Sequence, residues 1–162
     1  MTAAGIEVRL REVVNADLER FFAHMQDKDS VYQAAFMSDD PADRGAFESK
    51  WQRIRSNEQI TVRTILAADA VAGHIASFVM EGDLEITYWV GREFQGQQVA
   101  TRALDSFLRL MAERPLHGRA AADNSASIRV LEKCGFSRIG QARAFARARS
   151  KEIDEVILRL DV

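Results

Sequence analysis

The chain has 162 residues, 47% of them hydrophobic and 28% charged, a composition that favours a globular domain with its own core. Its formal net charge of −2 argues against a general nucleic-acid binder, which is usually strongly basic. Cys134 is the one cysteine, which excludes an intramolecular disulfide and favours a cytoplasmic location. No apolar stretch approaches a membrane span, the first residues lack a secretion signal, and the histidines form no metal-ligand motif. We expect a single domain over residues 1–162, with no metal, membrane or nucleic-acid partner.

The first half of the chain predicts one strand, two helices and a three-stranded meander. Residues 6–11 alternate apolar and polar side chains, which indicates a half-buried strand. Asn15 is a good N-cap for a helix over residues 16–25, and Pro41 suits the first turn of a second helix that ends near Arg55. The strands of the meander are predicted over residues 60–67, 71–80 and 84–90.

The second half of the chain alternates helices and strands. A stripe of apolar residues predicts a helix over residues 99–111, and a strand over 116–122 follows. Asn124 caps another helix, which ends at Gly135. The last two strands are predicted over residues 136–144 and 152–160. This order predicts an α+β domain, in which about seven strands form a central sheet flanked by about four helices.

The junction between the third meander strand and the next helix is the most informative feature of the sequence. An apolar, aromatic run ends at Val90, a turn with Gly91 and Gly96 follows, and a helical pattern begins near Val99. The first-turn N–H groups of a helix lack internal partners, and the helix dipole makes that end partly positive. The junction therefore predicts an anion site, best suited to phosphate groups. The glycine motifs of P-loop and dinucleotide-binding proteins are both absent from the sequence.

Two motifs make the chain resemble the GNAT superfamily of N-acetyltransferases, which transfer an acetyl group from acetyl-coenzyme A (acetyl-CoA) to an amine. The loop pattern of that family, Gln/Arg-x-x-Gly-x-Gly/Ala, is met by residues 95–100, although Gln98 stands where the family usually has glycine. A second pattern, Asn-x-x-Ser-x-x-Val-Leu-Glu-Lys-x-Gly-Phe, is met by residues 124–136. The strand over residues 84–90 resembles the branch that acetylates the N-terminal alanine or serine of ribosomal proteins.

The resemblance implies a mixed, mostly antiparallel GNAT sheet with a splayed strand pair, and a site for acetyl-CoA as co-substrate. Pantetheine would lie between the strands over residues 84–90 and 116–122, and a main-chain N–H near Val90 would face the thioester carbonyl. The residues expected to contact the cofactor are Trp89, Val90, Arg92, Gln95, Gly96, Gln97, Gln98, Val99, Ala100, Thr101, Asn124, Ser127 and Lys133.

Two residues are candidates for proton transfer. An amine must be neutral to attack, and a free alkylamine has a pKa near ~10, so a base should help to remove its proton. The resemblance implies that Glu85 is this base, and the competing interpretation is a Glu that is salt-bridged or faces solvent. Many family members protonate the leaving thiolate with a tyrosine, but Leu131 stands at that position. The ribosomal-protein branch offers the hydroxyl of Ser127 instead, and the alternative is that the thiolate leaves unaided.

The sequence leaves the acceptor open. The resemblance implies a primary amine on a protein or peptide N-terminus or on a small molecule, and by analogy a homodimer. An acidic segment falls on the acceptor side of the family fold, where it either attracts a cationic amine or is simply solvated. Its members are Asp39, Asp40, Asp43 and Glu48. Because Gln98 and Leu131 depart from the family pattern, the alternative function is a catalytically inactive acyl-CoA-binding or regulatory module.

Overall fold

The computed structural model describes residues 5–37 and 40–162. Its strands are β1 Val8–Arg11, β2 Thr61–Ala67, β3 Ala70–Met80, β4 Asp83–Val90, β5 Leu116–Ala121, β6 Ser137–Ala146 and β7 Lys151–Leu160. Its helices are α1 Asn15–His24, α2 Lys28–Ala34, α3 Arg44–Ser56, α4 Val99–Leu110 and α5 Ser125–Lys133. The strands form one sheet in the order β1-β2-β3-β4-β5-β7-β6, in which only the β4–β5 pair is parallel. The predicted α+β class is therefore confirmed.

The sequence analysis missed α2, so the described residues contain five helices where about four were predicted. The helix is seven residues long, and its sequence carries no apolar stripe. Its one local signal is Asp27, whose carboxylate accepts hydrogen bonds from the N–H (3.3 Å) and the hydroxyl (2.5 Å) of Ser30. An N-cap of this kind marks a helix start even where hydrophobic periodicity is lacking.

Two predicted helix starts were wrong by a few residues. Asn15 is the first residue of α1 rather than its cap, because the preceding N–H already donates to the carboxylate of Asp17 (2.9 Å). Pro41 precedes α3 instead of lying in its first turn, because Asp43 caps that helix with its own carboxylate. In both helices a carboxylate satisfies the free N–H groups, and its position sets where the helix begins.

The centre of the sheet contains the splayed strand pair. β4 and β5 are paired only at Glu85–His117 and Ile86–Gly118, although β4 continues to Val90. Beyond these two pairs, the described residues of β4 and β5 are no longer paired with each other. We call the space beyond Ile86 the β4–β5 gap. Main-chain groups along its edges lack a sheet partner and are free to bind another extended chain.

Helices cover both faces of the sheet. On one face, α4 and α5 bury a core that includes Ile86 of β4, together with Val99, Leu104, Phe107, Ile128 and Leu131. On the other face, α1 and α3 bury Phe21, Phe47 and Trp51 beside Val62 and Val71. Because strand side chains alternate, the second face of β4 carries Glu85, Thr87 and Trp89.

Candidate active site

The main chain of Val90 faces the β4–β5 gap. The Gly91 N–H donates to the Ala72 carbonyl on β3 (2.8 Å), and Val90 is in register with Gly73. Antiparallel pairs alternate between bonded and non-bonded, so Val90 directs its N–H and carbonyl away from β3 and into the gap. The side-chain amide of Gln95 donates to the Val90 carbonyl (3.1 Å). The Val90 N–H therefore points into the β4–β5 gap and is not bonded to β3.

The loop before α4 presents free N–H groups at one end of the gap. Gly96 (φ +77°) and Gln98 (φ +61°) both have left-handed backbone, which turns the chain sharply into α4. The Arg102 N–H donates to the Gln98 carbonyl (3.1 Å), so the intrahelical bonding of α4 begins there. The N–H groups of Val99, Ala100 and Thr101 precede this bond and lie at the positive end of the helix dipole.

Two side chains hold this loop in place. Besides its bond to Val90, the Gln95 amide donates to the hydroxyl of Ser30 on α2 (3.2 Å), while the Gln95 N–H donates to the Arg92 carbonyl (3.1 Å). Arg92 donates to the carboxylates of Asp27 and Asp29, both at 3.0 Å. Gln95 and Arg92 thus connect the loop to the start of α2. Gln95 is the last residue before α4 whose main-chain N–H has a hydrogen-bond acceptor among the described residues.

A cavity of about 800 Å³ lies on the α1/α3 side of β4. Its floor carries Glu85, Thr87 and Trp89 of β4, and its roof includes Phe47 and Trp51 of α3. Asn124 and Ser127 at the start of α5 and Arg119 of β5 also line it. We call it the Glu85 cavity.

Glu85 is buried, with 2% of its surface exposed. Its Oε1 lies 3.4 Å from the Nε of Arg119, and another nitrogen of Arg119 lies 3.4 Å from Glu155. The Oε2 of Glu85 is buried without a hydrogen-bond partner among the described residues. Burial raises the pKa of Glu85 above its usual value, because the positive charge of Arg119 only partly offsets the loss of solvation. The carboxylate therefore has an acceptor oxygen free and an increased affinity for a proton.

The hydroxyls of Tyr88 and Ser127 lie 2.9 Å apart, and the Tyr88 hydroxyl also lies 3.2 Å from the Ser127 carbonyl. Ser127 is in the first turn of α5, where Asn124 caps the helix by accepting from the Ser127 N–H (3.2 Å). Burial raises the pKa of Tyr88 to about 12, so the phenol stays protonated and is able to donate. The serine hydroxyl is thus held at the wall of the cavity.

The structure brings four of the sequence-predicted residues, Glu85, Trp89, Asn124 and Ser127, to one cavity. The loop residues Gln95, Gly96, Gln97, Gln98, Val99, Ala100 and Thr101 lie together at the end of the gap. Lys133 is exposed in the last turn of α5 and is not among the residues that line the cavity, while the next residue, Cys134, contacts Thr101 at the start of α4. The sequence analysis missed Arg119 and Lys50, which reach the cavity from β5 and α3, and Tyr88, whose hydroxyl partner Ser127 is 39 residues away.

The acidic segment is mostly engaged in local bonds. Asp39 lies outside the described residues. Asp43 caps α3, and Glu48 forms an ion pair with Arg44 (3.2 Å). Asp40 lines the Glu85 cavity, with one carboxylate oxygen accepting from the Ala42 N–H (3.0 Å). One described carboxylate of this segment therefore faces the cavity.

Other chemistry was sought in the described part of the chain. Within residues 5–37 and 40–162, no three His, Cys, Asp or Glu side chains are grouped so that they could hold a metal ion. Over the same ranges, no helix is both long and apolar enough to cross a membrane. The thiol of Cys134 contacts the Thr101 carbonyl (3.6 Å), and burial raises its pKa to about 11. A thiol with so high a pKa is a poor nucleophile and packs as a small core residue.

Comparison with known proteins places this geometry in a family. The model of the acetyltransferase (GNAT) domain matches residues 7–137. No curated protein matches the sequence significantly. The chain is similar to the solved structure of the microcin C7 self-immunity acetyltransferase MccE in complex with acetyl-CoA and AMP. The two share 18% sequence identity with a TM-score of 0.77, and the match covers 96% of this chain and 93% of that chain.

Two further solved structures are similar in fold. Mycobacterium smegmatis RimJ, in complex with CoA-disulfide, has 18% identity and a TM-score of 0.79, with 96% of this chain and 82% of that chain covered. The spermidine N-acetyltransferase of Vibrio cholerae, in complex with CoA and spermine, has 14% identity and a TM-score of 0.76, with 94% and 95% covered. At such identities the likeness establishes the fold and leaves the acceptor open.

The splayed sheet, the α4 loop and the buried carboxylate define an acyltransferase that takes its acyl group from a CoA thioester. The chain belongs to the GNAT acetyltransferase family and is an acetyl-CoA-dependent N-acetyltransferase. The residues present fit that co-substrate. Val90 offers main-chain groups to an extended arm in the gap, and the turn at Gly96 and Gln98 aims N–H groups at one point, as a pyrophosphate requires.

Proposed function

We propose that the protein transfers the acetyl group of acetyl-CoA directly to a primary amine, with both substrates bound at once. The observation that carries this proposal is the position of Glu85 on β4: its side chain lines the cavity, one of its carboxylate oxygens has no hydrogen-bond partner among the described residues, and the same strand leads to Val90 at the gap. An amine in the cavity and a thioester in the gap would approach each other along one strand, so no covalent acetyl-enzyme is required.

Acetyl-CoA would be held by main-chain groups. We propose that the N–H groups from Gly96 to Thr101 bind the pyrophosphate, that Val90 pairs with pantetheine, and that Trp89 and Asn124 contact the acyl end. Arg92 and Gln95 keep the loop in position through α2. Lys133, which is exposed and cationic, would meet the outer phosphate of the nucleotide.

Glu85 and Ser127 would move the protons. The Glu85 carboxylate accepts a proton from the acceptor ammonium, directly or through water, and the neutral amine then attacks the thioester carbonyl. The Val90 N–H stabilises the negative charge that develops on the acyl oxygen. As the C–N bond forms and the C–S bond breaks, the Ser127 hydroxyl donates a proton to the departing sulfur, and it is reprotonated from solvent.

Thermal unfolding with ligands tests the binding half of this proposal. A ligand that binds only the folded chain raises the midpoint, so acetyl-CoA and CoA should raise it while ATP and NAD should not. Transfer to a panel of primary amines, followed as release of free thiol, tests the catalytic half. No rise at millimolar acetyl-CoA would overturn the proposal. A rise without transfer to any amine would favour the inactive acyl-CoA-binding module. Cytoplasmic location, the single domain and a homodimer remain predictions.

A further inference from the structure

Apolar side chains form most of the described lining of the Glu85 cavity. They come from α3, β2 and β3 and from the segment that follows α2. Several are only half-buried, so that part of their surface is not covered by the described residues: Phe36, Met37, Ile54, Val62, Phe78 and Met80. Uncovered apolar surface around a cavity of about 800 Å³ is typical of a site for a small molecule with an apolar body.

The charged groups of this lining nearly balance one another. Those among the described residues are Asp40, Lys50, Glu85, Arg119 and Glu155. Arg119 lies between the two glutamates, with a nitrogen 3.4 Å from a carboxylate oxygen of each. Asp40 and Lys50 add one charge of each sign, and His74 stays neutral because burial and the charge of Lys50 lower its pKa to about 3. With Glu85 ionised, one negative charge remains in the described lining, which a single ammonium group would neutralise.

A row of three residues crosses the floor of the cavity. Thr87 on β4 is in register with Ala76 on β3, which is in register with Val62 on β2, and all three line the cavity. Thr87 is exposed and lies two residues from both Glu85 and Trp89 along β4. Adjacent strands are about 4.8 Å apart, so the row is about 10 Å long. It leads from the strand that carries Glu85 to the apolar side of the cavity.

The far end of the row has apolar borders. Phe78 is two residues from Ala76 and therefore faces the cavity on the same side of β3. Ile54 of α3 lines the cavity and packs against the same aromatic cluster as Val62. Lys50 is one turn from Ile54 on α3, where its charge would repel a second ammonium group. An eight-carbon chain is about 10 Å long when extended, which matches the length of the row.

From this arrangement we infer that the acceptor is a monoamine with a long apolar body, an alkylamine or arylalkylamine, whose chain lies along the row from Thr87 to Val62. This inference rests on the proposed function, because it names the substrate class of that site. The amine nitrogen lies over Thr87, about 7 Å along the strand from the base Glu85 and from the acetyl end at Trp89. The Glu85 side chain and one water molecule span that separation. The apolar chain covers the half-buried side chains of the lining, and the hydrophobic effect stabilises the complex.

Four amines test the inference. Octylamine has the expected length, and butylamine has a chain too short to reach Val62. Diaminooctane, with an amine at each end, and aminooctanoate, with a carboxylate at the far end, have the length of octylamine but carry a charge there. We expect kcat/KM for octylamine to exceed that for butylamine about 10- to 100-fold, through the additional methylenes. It should exceed the values for both charged analogues at least about 10-fold, because a charge at the apolar end loses its hydration.

Ile54→Gln tests the apolar end of the row. It should lower kcat/KM for octylamine about 10-fold and leave that for butylamine unchanged, because only the longer chain reaches this side chain. Ile54→Leu should retain the wild-type preference. Leu110→Gln, a change at an exposed leucine of α4 outside the cavity lining, is the matched control and should alter neither value. Unfolding midpoints measured for each variant separate a loss of the fold from a loss of recognition.

Equal use of octylamine and butylamine by the wild type, a preference for either charged analogue, or an octylamine preference that survives Ile54→Gln would overturn the inference. If another amine of the wider panel is then acetylated, the N-acetyltransferase function stands. If no amine is acetylated despite acetyl-CoA binding, both proposals fail.

Discussion

The hydroxyl oxygen of Tyr88 lies 2.9 Å from that of Ser127, which connects the middle of β4 to the first turn of α5 across the cavity wall. The two residues are 39 positions apart in the sequence. With a pKa raised to about 12, the phenol remains a donor throughout the range in which an acetyltransferase works. The phenol also donates to the Ser127 carbonyl (3.2 Å), so Tyr88 contacts both polar oxygens of this residue. Tyr88 therefore acts as a positioning residue for the proposed acid.

Replacing Ser127 with alanine should lower kcat about 10- to 100-fold while leaving the affinity for acetyl-CoA unchanged, because the hydroxyl assists only the departure of the thiolate. Tyr88→Phe should produce a smaller decrease, since the serine keeps its proton but loses its orientation. Steady-state kinetics together with calorimetric titration of acetyl-CoA would measure both effects. Full activity in Ser127→Ala would mean that the thiolate leaves without a protein acid.

Glu85→Gln should lower kcat by about 10²- to 10⁴-fold, the usual contribution of a general base. Glutamine keeps the shape of the side chain but cannot accept the proton, so acetyl-CoA binding should persist. The exposed change Glu132→Gln on α5 is a control for the loss of one carboxylate and should have no effect. If Glu85→Gln retains the wild-type rate, Glu85 is a structural partner of Arg119 and has no catalytic role.

The pH profile should have an acid limb that belongs to Glu85. Burial raises the pKa of this carboxyl, and only its ionised form accepts a proton, so kcat/KM should fall as the pH decreases through a value above the usual one for Glu. The effect on stability has the opposite sign, because a raised acid pKa makes the fold relatively more stable at low pH. The fall of kcat/KM at low pH should be absent in Glu85→Gln. If this fall persists in the variant, it is caused by the titration of another group.

The part of the site that the sequence predicted correctly is local in the chain. The turn between β4 and α4 and the Asn124 cap of α5 each depend on residues within one or two turns, so their patterns are visible in sequence. Lys50 and Arg119 escaped prediction because the packing of α3 and the pairing of β5, which bring them to the same cavity as Glu85, are not visible in sequence. A single sequence does not indicate which distant side chains share a cavity.

Gln98→Gly should improve acetyl-CoA binding with little change in stability. Gln98 is held at φ +61°, where an L-residue is strained by roughly 1–2 kcal/mol. Glycine removes the strain but loses about 0.5–1 kcal/mol through its greater freedom in the unfolded chain. Gly96→Ala is the opposite substitution, from glycine to a residue with a Cβ at a left-handed position (φ +77°). Because nothing lies within 4 Å of the added Cβ, any loss of stability would come from backbone strain alone. Weaker binding in Gln98→Gly would mean that the glutamine side chain itself contacts the cofactor.

Asp17→Ala should destabilise the fold by roughly 1–3 kcal/mol, because it leaves the buried Thr64 hydroxyl and the Val14 N–H without their acceptor. The Asp17 carboxylate accepts bonds from Arg11 (2.7 Å), from the Val14 N–H (2.9 Å) and from Thr64 (2.7 Å). Burial alone would raise the pKa of Asp17, but these bonds outweigh it and lower the pKa. The stability from Asp17 is thus present above the unfolded pKa and is lost as the pH falls through the folded one. Denaturant unfolding of the wild type and of Asp17→Ala at two pH values would measure the difference in the free energy of unfolding and its decrease at low pH.

Gly73→Ala should be the most disruptive small substitution at the site. A Cβ at Gly73 would lie 1.9 Å from the carbonyl oxygen of Trp89, and because that atom is main chain it cannot rotate away. β3 and β4 must then separate beside Val90, so we expect a loss of more than about 2 kcal/mol in stability together with impaired acetyl-CoA binding.

Gly140→Ala is the matched control for that substitution, since nothing lies within 4 Å of its added Cβ and its φ is not left-handed. It should leave the free energy of unfolding within about 0.5 kcal/mol of the wild type. Chemical denaturation and titration of acetyl-CoA on both variants would make the comparison. Normal binding and stability in Gly73→Ala would mean that the strands can separate without affecting the site, and the close approach of Gly73 to Trp89 would then not be what positions Val90 at the gap.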